Sequence, residues 1–223
     1  MKWAYGITTV ETRMTDLLQQ TLQSLKMAGF DDPHLFVDGP VLAGVPTVHN
    51  KVTQRCPNVR TAGNWFLSAW ELYIREPDAD RYAIFQDDMI ATGNLRAYLE
   101  RCHYPEKSYL NLYTWPQENK PEIKGWHPSS QMGKGAVALV FDNDALRDLL
   151  TSNYMWMRFK DVKGHKSVDG GIVSAMKGMS YREMIHSPTL VLHTGTHSSM
   201  GNRSHPQAVG FKGEDFNALD FLE

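Results

Sequence analysis

Hydrophobic positions along this chain alternate between short continuous runs and stretches where they recur every three or four residues. Trp3–Thr9 (WAYGITT) is apolar and β-rich and closes in polar residues. Met14, Leu17, Leu18, Thr21, Leu22 and Leu25 then recur at helical spacing as far as Gly29. His34–Val37 reads as a second strand, closed by the turn residues Asp38-Gly39-Pro40. Phe66, Ala69, Trp70, Tyr73 and Ile74 mark a helix stopped at Pro77-Asp78, and Tyr82–Phe85 (YAIF) is a compact buried strand. Leu95, Tyr98, Leu99 and Cys102 line a short helix. Tyr109–Tyr113 and Ala136–Phe141 read as strands, and Ala145, Leu146, Leu149 and Leu150 as a helix after the second. Ile172, Val173 and Met176 mark a further helix, and Thr189–His193 (TLVLH) an apolar strand. Trp115–Met132 and Gly195–Phe211 show no period. This strand–helix alternation predicts an α/β fold with a mostly parallel sheet and helices on both faces.

Composition adds bounds. The chain has 223 residues, 42% hydrophobic and 22% charged, as in a soluble globular protein. No internal repeat or low-complexity linker divides it, so a single domain over 1–223 is expected. No apolar run approaches the roughly 18 residues of a membrane span, and none resembles a secretory core. With only Cys56 and Cys102, no disulfide framework is expected; the expectation is a cytoplasmic protein without membrane contact, bacterial or, if viral, in the host cytoplasm. Charge is uneven behind the net of −2: residues 1–150 carry 15 bases and 18 acids, residues 151–212 carry 8 and 3, and residues 213–223 carry four acids and no base. A basic, histidine-rich stretch points to an anionic ligand; a solvated face is the plain alternative.

Three features carry chemistry. Gln86-Asp87-Asp88 follows directly on YAIF, which puts two carboxylates at the C-terminal end of a buried strand, where open α/β sheets gather ligands. Adjacent carboxylates repel, and a site that keeps both ionised supplies a cation; oxygen ligands suit Mg²⁺ or Mn²⁺, with a bound diphosphate completing the shell. Asp31-Asp32 in the same chain reads only as a turn. His193 closes another strand and could meet the acid pair as a ligand. His197 and His205 make a zinc site conceivable, but no cysteine accompanies them. Asp169, in Ser167-Val168-Asp169-Gly170-Gly171, either caps the following helix or projects as a general base; the glycines let a substrate approach the backbone.

In their order along the chain these pieces resemble the GT-A-type glycosyltransferases, a nucleotide-sugar family that includes phage enzymes modifying DNA bases. The resemblance runs from about residue 3 to 203 and implies a GT-A-like (Rossmann-like) domain, with a donor-nucleotide half over about 1–90, an acceptor and catalytic half over about 91–212, and an acidic tail at 213–223. It sets Gln86-Asp87-Asp88 in the place of the DxD motif, with Gln where the family has its first Asp. Asp88 is then the main metal ligand, His193 the late ligand and Asp169 the base. It sets Thr8, Thr9, Glu11 and Arg13 (in Thr8-Thr9-Val10-Glu11-Thr12-Arg13) and Asp38 at the nucleotide, and Arg60 and Asn64 (in Arg60-Thr61-Ala62-Gly63-Asn64) at the nucleotide or its phosphates. Gln86, Asp87, Lys134 and Gly135 complete the donor side. His193-Thr194-Gly195-Thr196-His197-Ser198-Ser199 is similar to the family's late His-Gly-Ser stretch.

What the resemblance implies is transfer of a sugar from a nucleoside diphosphate, UDP foremost, with Mn²⁺ or Mg²⁺ stabilising the leaving phosphate. Arg203 and Lys166 are candidate helpers. With Asp169 as base the anomeric centre inverts; if Asp169 only caps a helix, retention is open. Trp115, Trp126, His127 and Gly170 are the acceptor candidates, within or beside an expected substrate loop. The basic stretch near Trp156 makes duplex DNA bearing hydroxymethylated bases one acceptor; cell-surface glycans, proteins and small molecules are others. Two readings from other classes stay open: a nucleotidyltransferase, against which the glycine-free Thr8–Arg13 segment counts, and a non-catalytic nucleotide- or DNA-binding module.

Overall fold

The apolar runs become a strand–helix alternation in the computed structural model, which describes residues 1–40, 51–158, 168–195 and 208–222. In chain order the elements are β1 (Trp3–Val10), α1 (Leu17–Met27), β2 (His34–Asp38), β3 (Val52–Arg55), α2 (Arg60–Arg75), β4 (Arg81–Gln86), β5 (Met89–Ala91) and α3 (Leu95–Arg101). They continue as β6 (Ser108–Asn111), β7 (Gly125–Pro128), β8 (Ala138–Asp142), α4 (Asn143–Thr151), α5 (Asn153–Arg158), α6 (Asp169–Gly178), β9 (Arg182–Ser187) and β10 (Val191–His193).

The main sheet has the order β3-β2-β1-β4-β8-β6-β9-β7, and β5 pairs with β10 in a separate two-stranded sheet. β1 to β4 are mutually parallel, as are β6 and β9, while β8 and β7 run against their neighbours. From β1 the chain first moves outward to β2 and β3, then crosses back through α2 to β4 on the other side of β1. This reversal creates a crevice outside the carboxyl ends of β1 and β4, where neighbouring connections depart in opposite directions.

Strand alternation divides the core between the two faces. Ala83 and Phe85 of β4 join Trp3, Leu18, Leu25 and Tyr98 on one face, while Tyr82 and Ile84 join Trp65, Phe66, Leu146 and Ile172 on the other. Helices therefore cover both faces, as the period of the apolar positions requires. Burial of each large side chain, at about 1.5–3 kcal/mol, makes these two layers the main support of the sheet.

Four strands and one helix lie outside the periodic pattern, for identifiable reasons. β3 (VTQR) is a partly exposed edge strand without an apolar run, and β5 is three residues long. β9 buries Glu183, His186 and Ser187 beside its apolar residues, which hides its alternation. The α5 segment is short and follows α4 closely. β7 corrects the expectation that Trp115–Met132 is wholly irregular, because Gly125–Pro128 pairs with β9 and Pro116–Glu118 forms a 3₁₀ turn. Thr189–His193 contributes only Val191–His193 as strand, paired to β5 rather than to the main sheet. α2 starts at Arg60, ahead of the apolar run, because its first turn buries the small or polar Ala62, Gly63 and Asn64.

Gly6 in β1 shows how closely the second face is packed. A Cβ at this position would lie 2.5 Å from Cε2 of Phe36 and 2.6 Å from the His34 carbonyl oxygen. The carbonyl belongs to the paired strand and cannot move without breaking the ladder. Gly6→Ala is therefore expected to cost about 3 kcal/mol, read as a lowered urea midpoint; an unchanged midpoint would show that β1 and β2 can separate at this point.

Candidate functional site

The acid pair sits at the end of β4 within that crevice. Register pairs Thr8 with Gln86, so the next residues, Thr9 and Asp87, meet across the strand ends. Thr9 Oγ1 donates to Asp87 Oδ2 at 2.6 Å, and Thr8 Oγ1 donates to the Phe85 carbonyl at 3.3 Å. β1 then runs into a 3₁₀ turn, Glu11–Arg13, which brings Arg13 back over the pair. Arg13 Nη1 donates to Asp87 Oδ1 and to Asp88 Oδ2, both at 2.8 Å. Side-chain exposures are 16% for Arg13, 4% for Asp87 and 3% for Asp88, so this is a nearly dry ion cluster rather than a screened surface pair.

The surrounding fold satisfies the backbone where the chain turns from β4 into β5. Thr21 Oγ1 of α1 bonds the carbonyls of Asp87 and Met89, each at 2.9 Å, and Ser24 Oγ accepts from Ala91 N at 2.8 Å. Gln86 Nε2 donates to the Ala136 carbonyl at 2.9 Å. Pairing of His193 with Met89 in the small sheet sets the imidazole beside the acids, with Nε2 3.0 Å from Asp88 Oδ2. Thr194 N donates to the Asp88 carbonyl at 2.8 Å.

The two carboxylates have different electrostatic states. Burial pushes the pKa of Asp87 up, the charge of Asp88 adds to this, and Arg13 with Thr9 opposes it. Burial also acts on Asp88, but bonding to His193 and the charge of Arg13 outweigh it and hold its pKa below the usual carboxylate value. Asp88 Oδ1 is buried without a hydrogen-bond partner among the described residues, an expensive state for a carboxylate oxygen. A Cβ at Gly195 would come within 2.5 Å of Asp88 Oδ2 and 3.2 Å of His193 Nε2, so the small residue there keeps the approach clear. One carboxylate oxygen and one imidazole nitrogen fit a divalent cation that takes its remaining ligands from phosphate and water. Among the described residues no group of three or more His, Cys, Asp or Glu side chains converges on one point, so the described residues would supply only part of the shell.

Asp169 is connected to the Tyr113 ring through Gly135. Tyr113 stands edge-on to His193, ring centroids 6.3 Å apart, and a Cβ on Gly135 would strike it at 2.4 Å. Gly135 has φ of +69° and donates its N–H to Asp169 Oδ2 at 2.7 Å. The cap of α6 is Val168, and Asp169 is the first helical residue; its carboxylate turns to the loop before β8, bonding the N–H groups of Gly135 and Ala136 as well as its own N–H. Burial raises its pKa, with those bonds and the His193 charge opposing. It is partly buried and partly reached by solvent.

The remaining candidates divide into residues near this group and residues engaged elsewhere. Glu11 and Arg60 lie at the crevice edge, Arg60 exposed with φ of +64° at the head of α2. Asp38 accepts from Val59 N at 2.7 Å, and Asn64 is buried, donating to the Phe36 carbonyl at 2.8 Å, so both are occupied by the framework of β2 and α2. Lys134 Nζ lies 5.7 Å from the Trp115 ring centroid, and Trp115 meets Tyr113 edge-on at 6.4 Å, which joins both to the Tyr113 wall. Gly170 follows Asp169 directly, and its Cα packs where a Gly133 Cβ would fall, 2.6 Å away. Trp126 and His127 have their contacts at the sheet edge: Trp126 packs on Tyr98 and His186, and His127 Nε2 pairs with Ser187 Oγ at 2.9 Å. Thr196–Ser199, His205, Lys166 and Arg203 lie outside the described residues, as does the side chain of Trp156. Arg13 as clamp, Tyr113 as wall, and Thr21 and Ser24 as backbone partners are the functional features that reading single strand ends does not reveal.

The comparisons with known proteins concern the fold. No family model matches the chain, and no curated protein matches it by sequence. Among solved structures it is similar to S. aureus TarS, with a TM-score of 0.56 at 13% identity over 88% of this chain and 37% of that one; it thus spans little more than a third of the length of TarS. Looser overlays relate it to the catalytic domain of Drosophila beta1,4-galactosyltransferase 7, at TM-score 0.49, 9% identity, 100% of this chain and 80% of that one. Another relates it to a Methanothermobacter nucleotidyl transferase, at 0.47, 14%, 82% and 87% respectively. At these identities the likeness establishes architecture: a GT-A-like α/β domain with a mostly parallel central sheet. Choice of chemistry rests on the site.

The acid cluster has a direct consequence for stability. Arg13→Ala leaves two dry, adjacent carboxylates without their cation and is expected to cost about 3 kcal/mol. Mn²⁺ should recover part of the loss by binding the folded state. Denaturant titration with and without Mn²⁺ reads both effects; an unchanged midpoint in the variant would remove Arg13 from its role as counter-ion.

Proposed function

We propose that this chain is a glycosyltransferase that moves a sugar from a nucleoside-diphosphate donor, UDP-sugars foremost, to an acceptor hydroxyl with inversion. One observation carries the reading: a dry acid pair with His193 and Arg13 stands at the sheet's reversal point, and a separate carboxylate, Asp169, is bonded to Gly135, which packs on the same Tyr113 ring that meets His193. Transfer from a diphosphate requires two such functions, one at the departing phosphate and one at the attacking hydroxyl.

Asp88 and His193 are the residues that would hold Mn²⁺ or Mg²⁺, the unpartnered Asp88 Oδ1 being the support for this. When bound, the ion would stabilise charge on the departing diphosphate. Arg13, held 2.8 Å from both acids, supplies fixed positive charge beside the same oxygens, where the diphosphate would bind. Thr8, Thr9 and Glu11 stand on the nucleotide side at the end of β1, with Arg60 at the head of α2, while Asp38 and Asn64 hold the framework beneath. Gln86 and Asp87 hold the floor, and Lys134-Gly135 lines the sugar side.

Asp169 accepts the proton of the acceptor hydroxyl. Its raised pKa suits a base that must take up a proton and later release it, and the Gly135 and Ala136 N–H groups fix its direction. The hydroxyl oxygen then attacks the anomeric carbon as the bond to the diphosphate breaks on the opposite face. Trp115, half-buried beside Tyr113, offers a surface for an acceptor ring, and Gly170 leaves room beside the base. A hydroxymethylated base in duplex DNA is the acceptor favoured by the surplus of bases over residues 151–212; a glycan or protein hydroxyl is the alternative. No helix among the described residues is long and apolar enough to cross a membrane.

With Mn²⁺, a panel of nucleotide sugars should reveal slow hydrolysis of one donor; nucleotidyl transfer would instead consume a nucleoside triphosphate and a sugar phosphate, and a binding module would turn over neither. Asp169→Asn should lower transfer by about 10²–10⁴-fold while donor binding persists, and NMR of the product should show an inverted anomer. Full activity in that variant or a retained anomer overturns the assignment of the base. For the acceptor, affinity for duplex DNA should fall steeply with salt; absence of binding at low salt excludes DNA.

A further inference from the structure

Glu183 on β9 is a buried carboxylate, 4% exposed, that the proposed chemistry leaves unused. Its environment links it to the segment between β7 and β8, which carries Lys134 and Gly135. Ser129 Oγ donates to Glu183 Oε2 at 2.6 Å, and Asn111 Nδ2 donates to Oε1 at 3.2 Å. The same Asn111 amide donates to the Lys134 carbonyl at 3.2 Å. Gln131 closes the arrangement with its side-chain amide, donating to the Glu183 carbonyl at 2.8 Å and accepting from Glu183 N at 3.0 Å. At the far end of the segment, Gly133 packs against Asp169, where an added Cβ would fall 2.5 Å from the Asp169 carbonyl, and Gly135 N bonds the Asp169 carboxylate. The segment is therefore held at its start by Glu183, in the middle by Asn111 and at its end by Asp169.

We propose that Glu183 is a positioning residue: it fixes the 129–135 segment and, through Gly135, the direction of the Asp169 carboxylate. This rests on the reading of Asp169 as the base. Two buried carboxylates on neighbouring elements are costly to retain, and a segment that needed only to close a loop could be held by neutral groups. The carboxyl offers two oxygens, taken here by Ser129 and Asn111, which suits a segment rich in glycine that must still present one N–H in a fixed place.

The titratable groups acting on Glu183 are Glu118 from the 3₁₀ turn and Asp169 from α6, with Tyr109 of β6 beside it. Burial pushes its pKa up to about 7, with Ser129 and Asn111 opposing. Because the folded pKa exceeds the unfolded one, the folded state binds the extra proton between about 4.5 and 7, and the Glu183 contribution to stability falls as pH rises through that window. Stability of the wild type minus that of Glu183→Gln should therefore decline across this window and level off above it.

The decisive readout is backbone amide exchange in Glu183→Gln, which keeps the size of the side chain but has only one acceptor oxygen. Exchange at Gly135 and its neighbours in 131–136 should rise at least tenfold while the amides of β4 and α2 keep wild-type rates. In transfer assays kcat should fall about tenfold with the donor KM unchanged, since the acid pair is untouched. Unchanged exchange at Gly135, or an increase spread evenly over the chain, overturns the positioning role. Exchange is measured without substrate, so a chain inactive in transfer would refute the enzymatic reading while leaving this result to stand or fall by itself.

Discussion

The structure depends on placing two adjacent carboxylates in a nearly dry crevice and keeping them there. Like charges one residue apart repel, and burial raises the cost of each. Arg13 bridges them, and much of the local architecture serves that bridge. Parallel pairing of β1 with β4 brings Thr9 beside Asp87, the 3₁₀ turn after β1 returns Arg13 over the pair, and Thr21 and Ser24 satisfy the backbone beneath it. The small β5–β10 sheet adds His193. No single element of this group would hold the charges without the others.

That arrangement divides the labour of the site. On the β4 side lie the fixed cation and the partly satisfied carboxylate; on the α6 side lies a carboxylate whose raised pKa favours uptake of a proton. Tyr113 meets both groups: its ring stands edge-on to His193 and packs against Gly135, which donates to Asp169. Backbone holds this arrangement: β6 leads into Tyr113, and the segment before β8 carries the glycines that can pass close to its ring and to Asp169. A side chain at Gly133 or Gly135 would meet both a left-handed φ and a collision.

The strands and helices with clear apolar periods were legible in the sequence, and so was the location of the acid pair, because a continuous apolar run ending in acids defines a strand end. Asp31-Asp32 has the same residues in a different setting: it sits in a turn, with Asp32 at φ +52°, which the missing apolar run before it already indicates. The partners of the acids were less legible. Arg13 stands out as a basic residue near a strand end, but only the register of β1 against β4 shows that it faces both acids. Asp38 and Asn64 look available in the sequence, yet the Val59 N–H before α2 and the Phe36 carbonyl of β2 engage them. Trp126 and His127 fall in a Pro- and Gly-rich stretch whose edge-strand pairing is set from β9, far along the chain. Glu183 was hidden for the same reason: a carboxylate in the interior of a sheet has no local signature, because its partners come from β6 and from the 129–135 segment.

The most direct test of the central claim is titration of Mn²⁺ by electron paramagnetic resonance, with wild type and Asp88→Asn, each alone and with UDP. The account predicts one Mn²⁺ per chain, tighter when UDP is present, and loss of that site in the variant while the fold, judged by circular dichroism, is retained. Equal Mn²⁺ binding by both proteins, or none by either with UDP present, would contradict the assignment of the acid pair to a metal–diphosphate site.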